Sequence, residues 1–435
     1  MSLAISVLQP GALAAARADY VEKNPASRAR FDAACAAMPG GNTRTVLFYE
    51  PFPLGIARGE GCRIWDADGH EYIDFLGEFT AGLFGHSHPG ILAAVKRALD
   101  GGILLSGHNM IEARFAAAVC ARFPFIESVR FTNSGTEANL LALATAKVAT
   151  RRTKVLVFDG AYHGSVLSFA GGSRAINVPH DWVVGTYNDI AATEALFDAH
   201  GPDLAAVLVE PMLGSGGCIP GDPAFLEMLR ARTERHGALL IFDEVMMSRL
   251  APGGRQSALG IRPDLTSLGK YIGGGMSFGA FGGRRDLMDL YDPRRPDALP
   301  HAGTFNNNVL TMSAGLAALE ILGPGELQAL NARGDALRER LNRLCTEAKV
   351  SMVFTGLGSL LTVHFTAEPI RCPADAARGS AEAKELFFFD MLASGIHIAR
   401  RGMFALSLPI GDAECDTLVH AVASFIQGRR ALLTA

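Results

Sequence analysis

A short apolar run that ends in two carboxylates does most to restrict how this chain folds. Residues 238–245 read ALLIFDEV, so Asp243 and Glu244 directly follow five apolar residues. Such a run is typical of a strand that is buried on both faces of a parallel sheet. Ligands of open α/β sheets bind beyond the carboxyl ends of the strands, and we therefore expect Asp243 to lie at a ligand-binding edge.

The region between residues 85 and 325 repeats this pattern. Short apolar runs alternate there with helical stretches, the runs being 129–131, 154–158, 205–210 and 238–243 and the helices including 137–149 and 223–236. This alternation predicts βαβ units. We therefore predict an α/β fold whose mainly parallel sheet lies between layers of helices.

The flanking regions have a different character. Before residue 85, a helix is predicted over 26–37, a Pro/Gly-rich loop over 38–44 and a hairpin over 64–75; after residue 325, a charged helix over 326–348 precedes strands at 359–365 and 404–408. A chain of 435 residues is too long for one compact core. We predict an N-terminal segment (1–70) that contributes to a small domain and to the active-site entrance, a large domain (71–325) and a C-terminal small α+β domain (326–435).

Composition excludes several classes of function. Hydrophobic residues make up 49% of the chain and the formal net charge is −4, which describes a soluble globular protein without a basic surface for nucleic acid. No apolar run approaches the ~20 residues that span a bilayer. The seven cysteines are scattered, the histidines lack a metal-binding constellation, and the N-terminus lacks the basic start of a signal peptide. We expect a cytoplasmic protein without a bound metal.

Lys270 gives the carboxylate at Asp243 a chemical partner. It follows Asp243 by 27 positions and borders the glycine-rich residues 273–275. An acid directed at a pyridinium nitrogen and a lysine able to form a Schiff base are what pyridoxal phosphate chemistry requires. The alternatives are a helix-capping Asp243 and a solvated Lys270. The glycine-rich segment contains neither a P-loop nor a dinucleotide-binding pattern, which makes a Rossmann dehydrogenase the weaker α/β interpretation.

Three further loops follow predicted strands at the same edge. Ser134, Gly135 and Thr136 open a helix, whose free N–H groups and positive dipole end favour a phosphate, although ordinary capping explains the same residues. Tyr162 could stack on a flat cofactor or be purely structural. Glu210 ends a buried strand, where its carboxylate needs a polar partner.

Taken in order along the chain, these residues resemble the class III (fold type I) pyridoxal-phosphate aminotransferases. The resemblance covers nearly the whole chain, and its motifs are residues 134–138, 162–164, 210–211, 243–245, 268–270 and 303–305. Residues 38–41 and 273–283 look like the glutamate-1-semialdehyde aminomutase branch. Residues 42–54 and 303–308 are more similar to bacterial β-phenylalanine aminotransferases, and residues 306–309 depart from the Ser-Gly-Asn-Pro of the aminomutases.

The resemblance implies a role for each residue of the cofactor site. Lys270 would form the Schiff base with pyridoxal 5'-phosphate and then act as the base that moves the substrate proton. Asp243 would keep the pyridine nitrogen protonated. Val245 would press on one face of the ring, and Tyr162 would stack on the other. Glu210 would lie behind the cofactor.

The phosphate and the subunit arrangement are also implied. Ser134, Gly135 and Thr136 would hold the phosphate at the helix N-terminus. Thr304 would reach the phosphate of a neighbouring subunit, which implies a homodimer with shared active sites.

Four residues are candidates for substrate binding. Arg44 and Arg401 resemble the carboxylate-binding arginines of the β-phenylalanine enzymes, and a planar guanidinium suits a carboxylate. Arg400 is an alternative to Arg401, and either arginine could instead be a solvated surface residue. Phe48 and Phe79 could line a pocket for an aromatic side chain or belong to the core.

We predict an aminotransferase that moves the amino group of a β-amino acid, in particular an aromatic one, to 2-oxoglutarate or pyruvate by a ping-pong mechanism. Glutamate-1-semialdehyde aminomutase and amine (ω-) transaminase are the alternative activities. A catalytically silent binding protein of the same fold is the alternative from another class, and the presence of both Lys270 and Asp243 argues against it.

Overall fold

The computed structural model of the protein describes residues 11–434. The helices are α1 (Ala12–Lys23), α2 (Pro25–Cys35), α3 (Pro89–Asp100), α4 (Glu112–Arg122), α5 (Gly135–Thr150), α6 (Ile190–His200), α7 (Pro223–His236), α8 (Gly254–Leu259), α9 (Arg285–Met288), α10 (Val309–Ile321), α11 (Pro324–Ala348), α12 (Pro373–Ala377), α13 (Ala381–Ala393), α14 (Asp412–Gly428) and α15 (Arg430–Leu433). The strands are β1 (Ile56–Glu60), β2 (Arg63–Asp66), β3 (Glu71–Asp74), β4 (Ser128–Thr132), β5 (Lys154–Phe158), β6 (Asp181–Gly185), β7 (Leu204–Val209), β8 (Met212–Leu213), β9 (Ile219–Pro220), β10 (Leu239–Asp243), β11 (Leu265–Gly269), β12 (Gly279–Gly283), β13 (Val353–Leu357), β14 (Leu360–His364), β15 (Ile396–His397) and β16 (Met403–Ala405).

The largest sheet has seven strands in the order β4-β12-β11-β10-β7-β5-β6. β12 runs antiparallel to both of its neighbours, while β11, β10, β7, β5 and β6 pair in parallel. Parallel pairing brings the carboxyl ends of these strands to one edge. The predicted α/β fold with a mainly parallel sheet is therefore confirmed.

Alternate residues of β10 face two separate apolar cores. Leu239 and Ile241 pack in a cluster that includes residues of α5, whereas Leu240 and Phe242 pack in a cluster that includes residues of α7. The period of two along a strand explains why the run is apolar throughout, because each face meets its own helix layer. The same alternation places Asp243 on the α5 face of the sheet.

Two smaller sheets lie outside this layer. β1, β2, β3 and β15 form one sheet, in which β15 pairs in parallel with β3, and β13, β14 and β16 form the other. The predicted hairpin at 64–75 corresponds to β2 and β3. The loop predicted at 38–44 contains a short 3-10 turn, Pro39–Gly41, which begins at Pro39, whose ring presets a helical φ, and is distorted at Gly40, which has a non-helical φ of 65°. The domain boundaries themselves stay a prediction.

Within residues 11–434, no helix is both long and apolar enough to cross a membrane. The cytoplasmic location stays a prediction. Residues 1–10, which belong to the predicted N-terminal segment 1–70 and to the stretch that lacks a signal-peptide pattern, lie outside the described residues.

Candidate active site

The carboxyl edge of the seven-stranded sheet gathers the residues that the sequence singled out. Asp243 is the last residue of β10, and Lys270 comes directly after the neighbouring strand β11. Glu210 follows β7 in the same way, and Tyr162 and Ser134 lie on the loops after β5 and β4. The site therefore forms where the strand ends meet at one edge of the sheet, and it combines segments that are up to 136 positions apart in the sequence.

Asp243 is held by three hydrogen bonds. Its Oδ2 accepts from Asn139 Nδ2 and from His163 Nδ1, each at 2.8 Å, and its Oδ1 accepts from the backbone N–H of Val245 at 3.0 Å. The residue is only 4% exposed. A buried carboxylate with this many donors keeps one orientation, so its charge is fixed at a single point of the site.

Lys270 is a partly buried amine, and no carboxylate within residues 11–434 hydrogen-bonds to it. Its Nζ donates to the carbonyl oxygen of Phe79 at 2.5 Å. Burial, and secondarily the Arg401 guanidinium, lowers the pKa of Lys270 to about 8, against the opposing attraction of the Asp243 carboxylate. A lysine with such a pKa is partly neutral, and hence nucleophilic, near physiological pH.

The N-terminus of α5 faces the same region. Ser134 Oγ accepts from the backbone N–H of Glu137 at 3.2 Å, so ordinary capping is present. The first N–H groups of any helix lack an intrahelical partner, and those of Gly135 and Thr136 are available to an anion. A Cβ on Gly135 would lie 2.8 Å from Val245 Cγ2, so only glycine allows this close approach to the residue that follows the acidic pair.

Glu210 acts on the loop that carries Tyr162. Its carboxylate accepts from the backbone N–H of Tyr162 and from that of Gly214, both at 3.0 Å. Burial raises the pKa of Glu210 above its ordinary range. The Tyr162 side chain is 47% exposed, which leaves its ring free to meet a ligand. Glu210 therefore fixes the loop, while Tyr162 lines the open side of the site.

The aromatic ring of Phe79 brings the two candidate substrate arginines together. The guanidinium carbon of Arg44 lies 5.8 Å from the ring centroid and that of Arg401 lies 5.2 Å from it. Arg44 also pairs with Glu78 at 2.6 Å on the exposed side. Phe79 contacts Lys270 through its carbonyl oxygen, and the Arg401 guanidinium is close enough to this amine to help lower its pKa.

A cavity of about 460 Å³ opens at this point. Phe48, Phe79, Arg400 and Arg401 line it, together with small residues of the segments 45–46, 376–381 and 399 and with the neighbouring pair 384–385. Arg401 Nη2 lies 3.3 Å from Met403 Sδ, and its buried Nε has no hydrogen-bond partner among the described residues. The cavity combines aromatic surface with an unsatisfied guanidinium.

Thr304 is the one predicted site residue that lies elsewhere. It is exposed and lines a surface cleft with residues 103–109 and 305–309, away from the Asp243 and Lys270 contacts described above. Within one chain, the structure does not bring it to the other site residues.

Sequence reasoning missed three contributors to the site: Asn139, the role of His163 and the carbonyl oxygen of Phe79. Asn139 interrupts an otherwise apolar face of α5, between Ala138 and Ala142, and a buried amide in that position is a signal for a polar partner. Phe79 lies in a run of three non-glycine residues with positive φ, Glu78 to Thr80, which no local sequence pattern indicates.

Comparisons with known proteins agree with this geometry. The family model for class III aminotransferases matches residues 48–426. The chain is 54% identical to the β-phenylalanine transaminase of Variovorax paradoxus, over 97% of either chain, and the crystal structure of a β-phenylalanine aminotransferase from that organism superimposes with a TM-score of 0.96, covering 97% of this chain and 98% of that one. It is 41% identical to a glutamate-1-semialdehyde 2,1-aminomutase of Sorangium cellulosum, covering 88% of this chain and 90% of the relative. A solved transaminase with PLP bound is 33% identical, with a TM-score of 0.86 and coverage of 93% and 97%. The chain belongs to the class III aminotransferase family.

Proposed function

We propose that the protein transfers the amino group of an aromatic β-amino acid, such as 3-amino-3-phenylpropionate, to a 2-oxo acid. The observation that carries the proposal is the pair of guanidinium groups at the ring of Phe79, the residue whose carbonyl oxygen accepts from the Lys270 amine. The guanidinium groups suit a substrate carboxylate and the aromatic wall suits a phenyl group. The 54% identity to a β-phenylalanine transaminase supports the same choice.

The enzyme class and the cofactor follow from the family. The prediction of a class III aminotransferase that uses pyridoxal phosphate, an amino donor and a 2-oxo acid is confirmed. The site fits this cofactor, because a buried carboxylate, a lysine of lowered pKa and a helix N-terminus meet at one sheet edge. When bound, pyridoxal phosphate supplies an electron sink for the carbanion left by loss of the substrate proton.

The cofactor-binding roles are assigned from the contacts of each residue. Asp243, fixed by Asn139 and His163, would keep the pyridine nitrogen protonated. The N-terminus of α5 at Ser134, Gly135 and Thr136 would hold the phosphate. Tyr162 and Val245 would contact the ring of the cofactor, and Glu210 fixes the Tyr162 loop.

The proton transfer is assigned to Lys270. Its Nζ would take the proton from the carbon that bears the amino group and hold that proton for return. The carbonyl oxygen of Phe79, which accepts from the amine at 2.5 Å, holds the side chain inside the cavity. Arg44 and Arg401 bind the substrate carboxylate, and Phe48 and Phe79 line the space for the phenyl group.

The proposal is tested by incubating the purified enzyme with 3-amino-3-phenylpropionate and 2-oxoglutarate. We expect glutamate to form, and a panel of α-, β- and ω-amino donors to rank the aromatic β-amino acid first. A higher kcat/KM for a plain amine would favour an ω-transaminase instead. Isomerisation of glutamate-1-semialdehyde without an added acceptor would favour the aminomutase, which returns the amino group within one molecule.

Replacing Arg401 by alanine should raise KM for 3-amino-3-phenylpropionate by about 30-fold, because a charge-assisted hydrogen bond to the carboxylate is lost. Steady-state kinetics would measure this. Arg400→Ala is the matched control, since Arg400 already lies 3.6 Å from the Glu385 carboxylate, and we expect its KM to change less than threefold. Equal losses in the two variants, or an equal loss with a plain amine donor, would show that Arg401 is structural.

The lowered pKa of Lys270 predicts how cofactor capture depends on pH. The neutral amine is the reactive form, and a pKa of about 8 means that its fraction rises roughly tenfold from pH 7 to pH 9 and then levels off. Stopped-flow absorbance of cofactor-free enzyme mixed with pyridoxal phosphate measures the rate. The control is the reaction of butylamine with pyridoxal phosphate. The cofactor titrates in the same way in both reactions, but butylamine has an ordinary amine pKa, so the rate of its reaction should keep rising to pH 10. An enzyme profile parallel to that of butylamine would contradict the lowered pKa.

We also propose that the active unit is a homodimer with shared sites. Large apolar side chains are exposed around the cleft that contains Thr304, including Leu104 (75%), Met110 (90%) and Phe305 (55%). Exposed apolar surface of this kind marks an interface, and a second copy would bring its Thr304 to the phosphate region. Analytical ultracentrifugation should give twice the monomer mass. A stable, active monomer would contradict the proposal.

A further inference from the structure

Lys384 is a cation for which the fold offers no partner. It lies on α13, one turn from the helix N-terminus at Ser380, where the positive end of the helix dipole disfavours a lysine. The residue is partly buried, and among the described residues no hydrogen bond or ion pair involves its amine. Burial lowers the pKa of Lys384, and no neighbouring carboxylate offsets this effect.

The amine belongs to the same cavity as the candidate substrate arginine. Lys384 and Arg401 both line the cavity of about 460 Å³ next to Phe79. The Lys384 side chain passes close to the chain next to Arg401, since a Cβ built on Gly402, the residue after Arg401, would lie 3.7 Å from Lys384 Cδ. Lys384 therefore stands beside the site without belonging to the machinery described so far.

The charges of the cavity do not balance. Its lining contains three cations, Lys384, Arg400 and Arg401, and a single acid, Glu385. That acid is already engaged, since Glu385 lies 2.6 Å from Arg17 and 3.6 Å from Arg400. Among the described residues, Lys384 and Arg401 are left without a carboxylate partner, so the cavity keeps two positive charges that a ligand with two carboxylates would neutralise.

We propose that Lys384 binds the second carboxylate of a dicarboxylic amino acceptor, such as 2-oxoglutarate, while Arg401 binds the first. The Lys384 proposal rests on the proposed aminotransferase function. That function leaves open whether the acceptor is a dicarboxylic or a monocarboxylic 2-oxo acid, and the Lys384 proposal favours the dicarboxylic one. An aromatic β-amino acid has one carboxylate and needs only an arginine. A 2-oxo acid with two carboxylates occupies both free cations, whereas pyruvate leaves Lys384 unpaired.

The kinetic test compares acceptors in Lys384→Met, which keeps most of the aliphatic stem. With 3-amino-3-phenylpropionate as donor, we expect KM for 2-oxoglutarate to rise about tenfold and KM for pyruvate to change less than twofold. Lys384→Arg, which keeps the charge, should restore most of the preference. Lys96→Met, an exposed lysine on α3, is the matched control and should leave both values unchanged. Equal changes for the two acceptors, or no change, would overturn the proposal.

A binding measurement separates this proposal from the proposed function. Glutarate has two carboxylates but no oxo group, so calorimetric titration of the holoenzyme with glutarate and with butyrate requires no turnover. We expect wild type to bind glutarate more tightly, and Lys384→Met to weaken glutarate about tenfold without affecting butyrate. If wild type shows no such preference, the Lys384 proposal is wrong. If wild type forms no amino acid product from 3-amino-3-phenylpropionate with any acceptor, the proposed substrate is wrong. The titration with glutarate still tests whether Lys384 binds a second carboxylate.

Discussion

Replacing Lys270 by alanine should lower kcat by on the order of 10⁵-fold, the largest loss expected for any single substitution in this protein. Positioned acid–base catalysis accounts for roughly 10² to 10⁴ of this factor, and loss of the covalent bond to the cofactor accounts for the rest. Single-turnover formation of the oxo acid from 3-amino-3-phenylpropionate measures the loss directly, because it isolates the first half-reaction from product release.

The variant should remain folded, since the Lys270 side chain makes one hydrogen bond, to the carbonyl oxygen of Phe79. We expect the melting temperature to stay within a few degrees of wild type. Added methylamine should restore part of the lost rate, because a small amine can enter the vacated space and move the proton. Lys96→Ala is the control for loss of a lysine at an exposed position. Turnover near the wild-type rate in Lys270→Ala would overturn the assignment of the catalytic amine.

The edge of the sheet could be predicted because its signals are local. Five apolar residues followed by Asp243 specify a buried strand and its direction, and the parallel pairing of β10 with β11 then brings Lys270 alongside. Ser134 and Gly135 likewise indicate where α5 begins. Each of these predictions needs only the period of a strand or the chemistry of a helix cap.

The contacts that hold the side chains could not be predicted in this way. Asn139 and Asp243 are 104 positions apart, and their contact depends on how α5 packs over the sheet. The positive φ angles of Glu78, Phe79 and Thr80 are unfavourable for non-glycine residues, so only tertiary packing can impose them. The sequence also gives no sign that Arg44 pairs with Glu78, which leaves a substrate carboxylate to compete with a carboxylate of the chain itself.

Replacing Asp243 by asparagine should lower kcat by about 10³-fold while KM changes little. An amide has nearly the same shape as the carboxylate but carries no charge, so it no longer stabilises a proton on the pyridine nitrogen, and charge-directed stabilisation in a closed site is worth about 4 kcal/mol. The weakened electron sink slows removal of the substrate proton above all. The kinetic isotope effect for donor deuterated at the amino-bearing carbon should therefore rise above the wild-type value, which a merely structural loss would not cause.

The structure offers a matched control in Asp264→Asn. Asp264 is also a buried aspartate, 6% exposed, but it lies before β11, at the opposite end of the strand from Lys270, and pairs with Arg230 and Arg284 at 2.9 and 2.8 Å. Its replacement should lower the melting temperature, because a buried carboxylate that pairs with two arginines is lost, and should leave kcat within about threefold. Asp243→Asn should instead lower kcat strongly and leave the melting temperature nearly unchanged. If the two variants lose activity in proportion to stability, Asp243 serves the fold and not the reaction. If kcat falls only for Asp243→Asn while the isotope effect stays at the wild-type value, the carboxylate acts after the proton transfer and its assignment to the pyridine nitrogen is wrong.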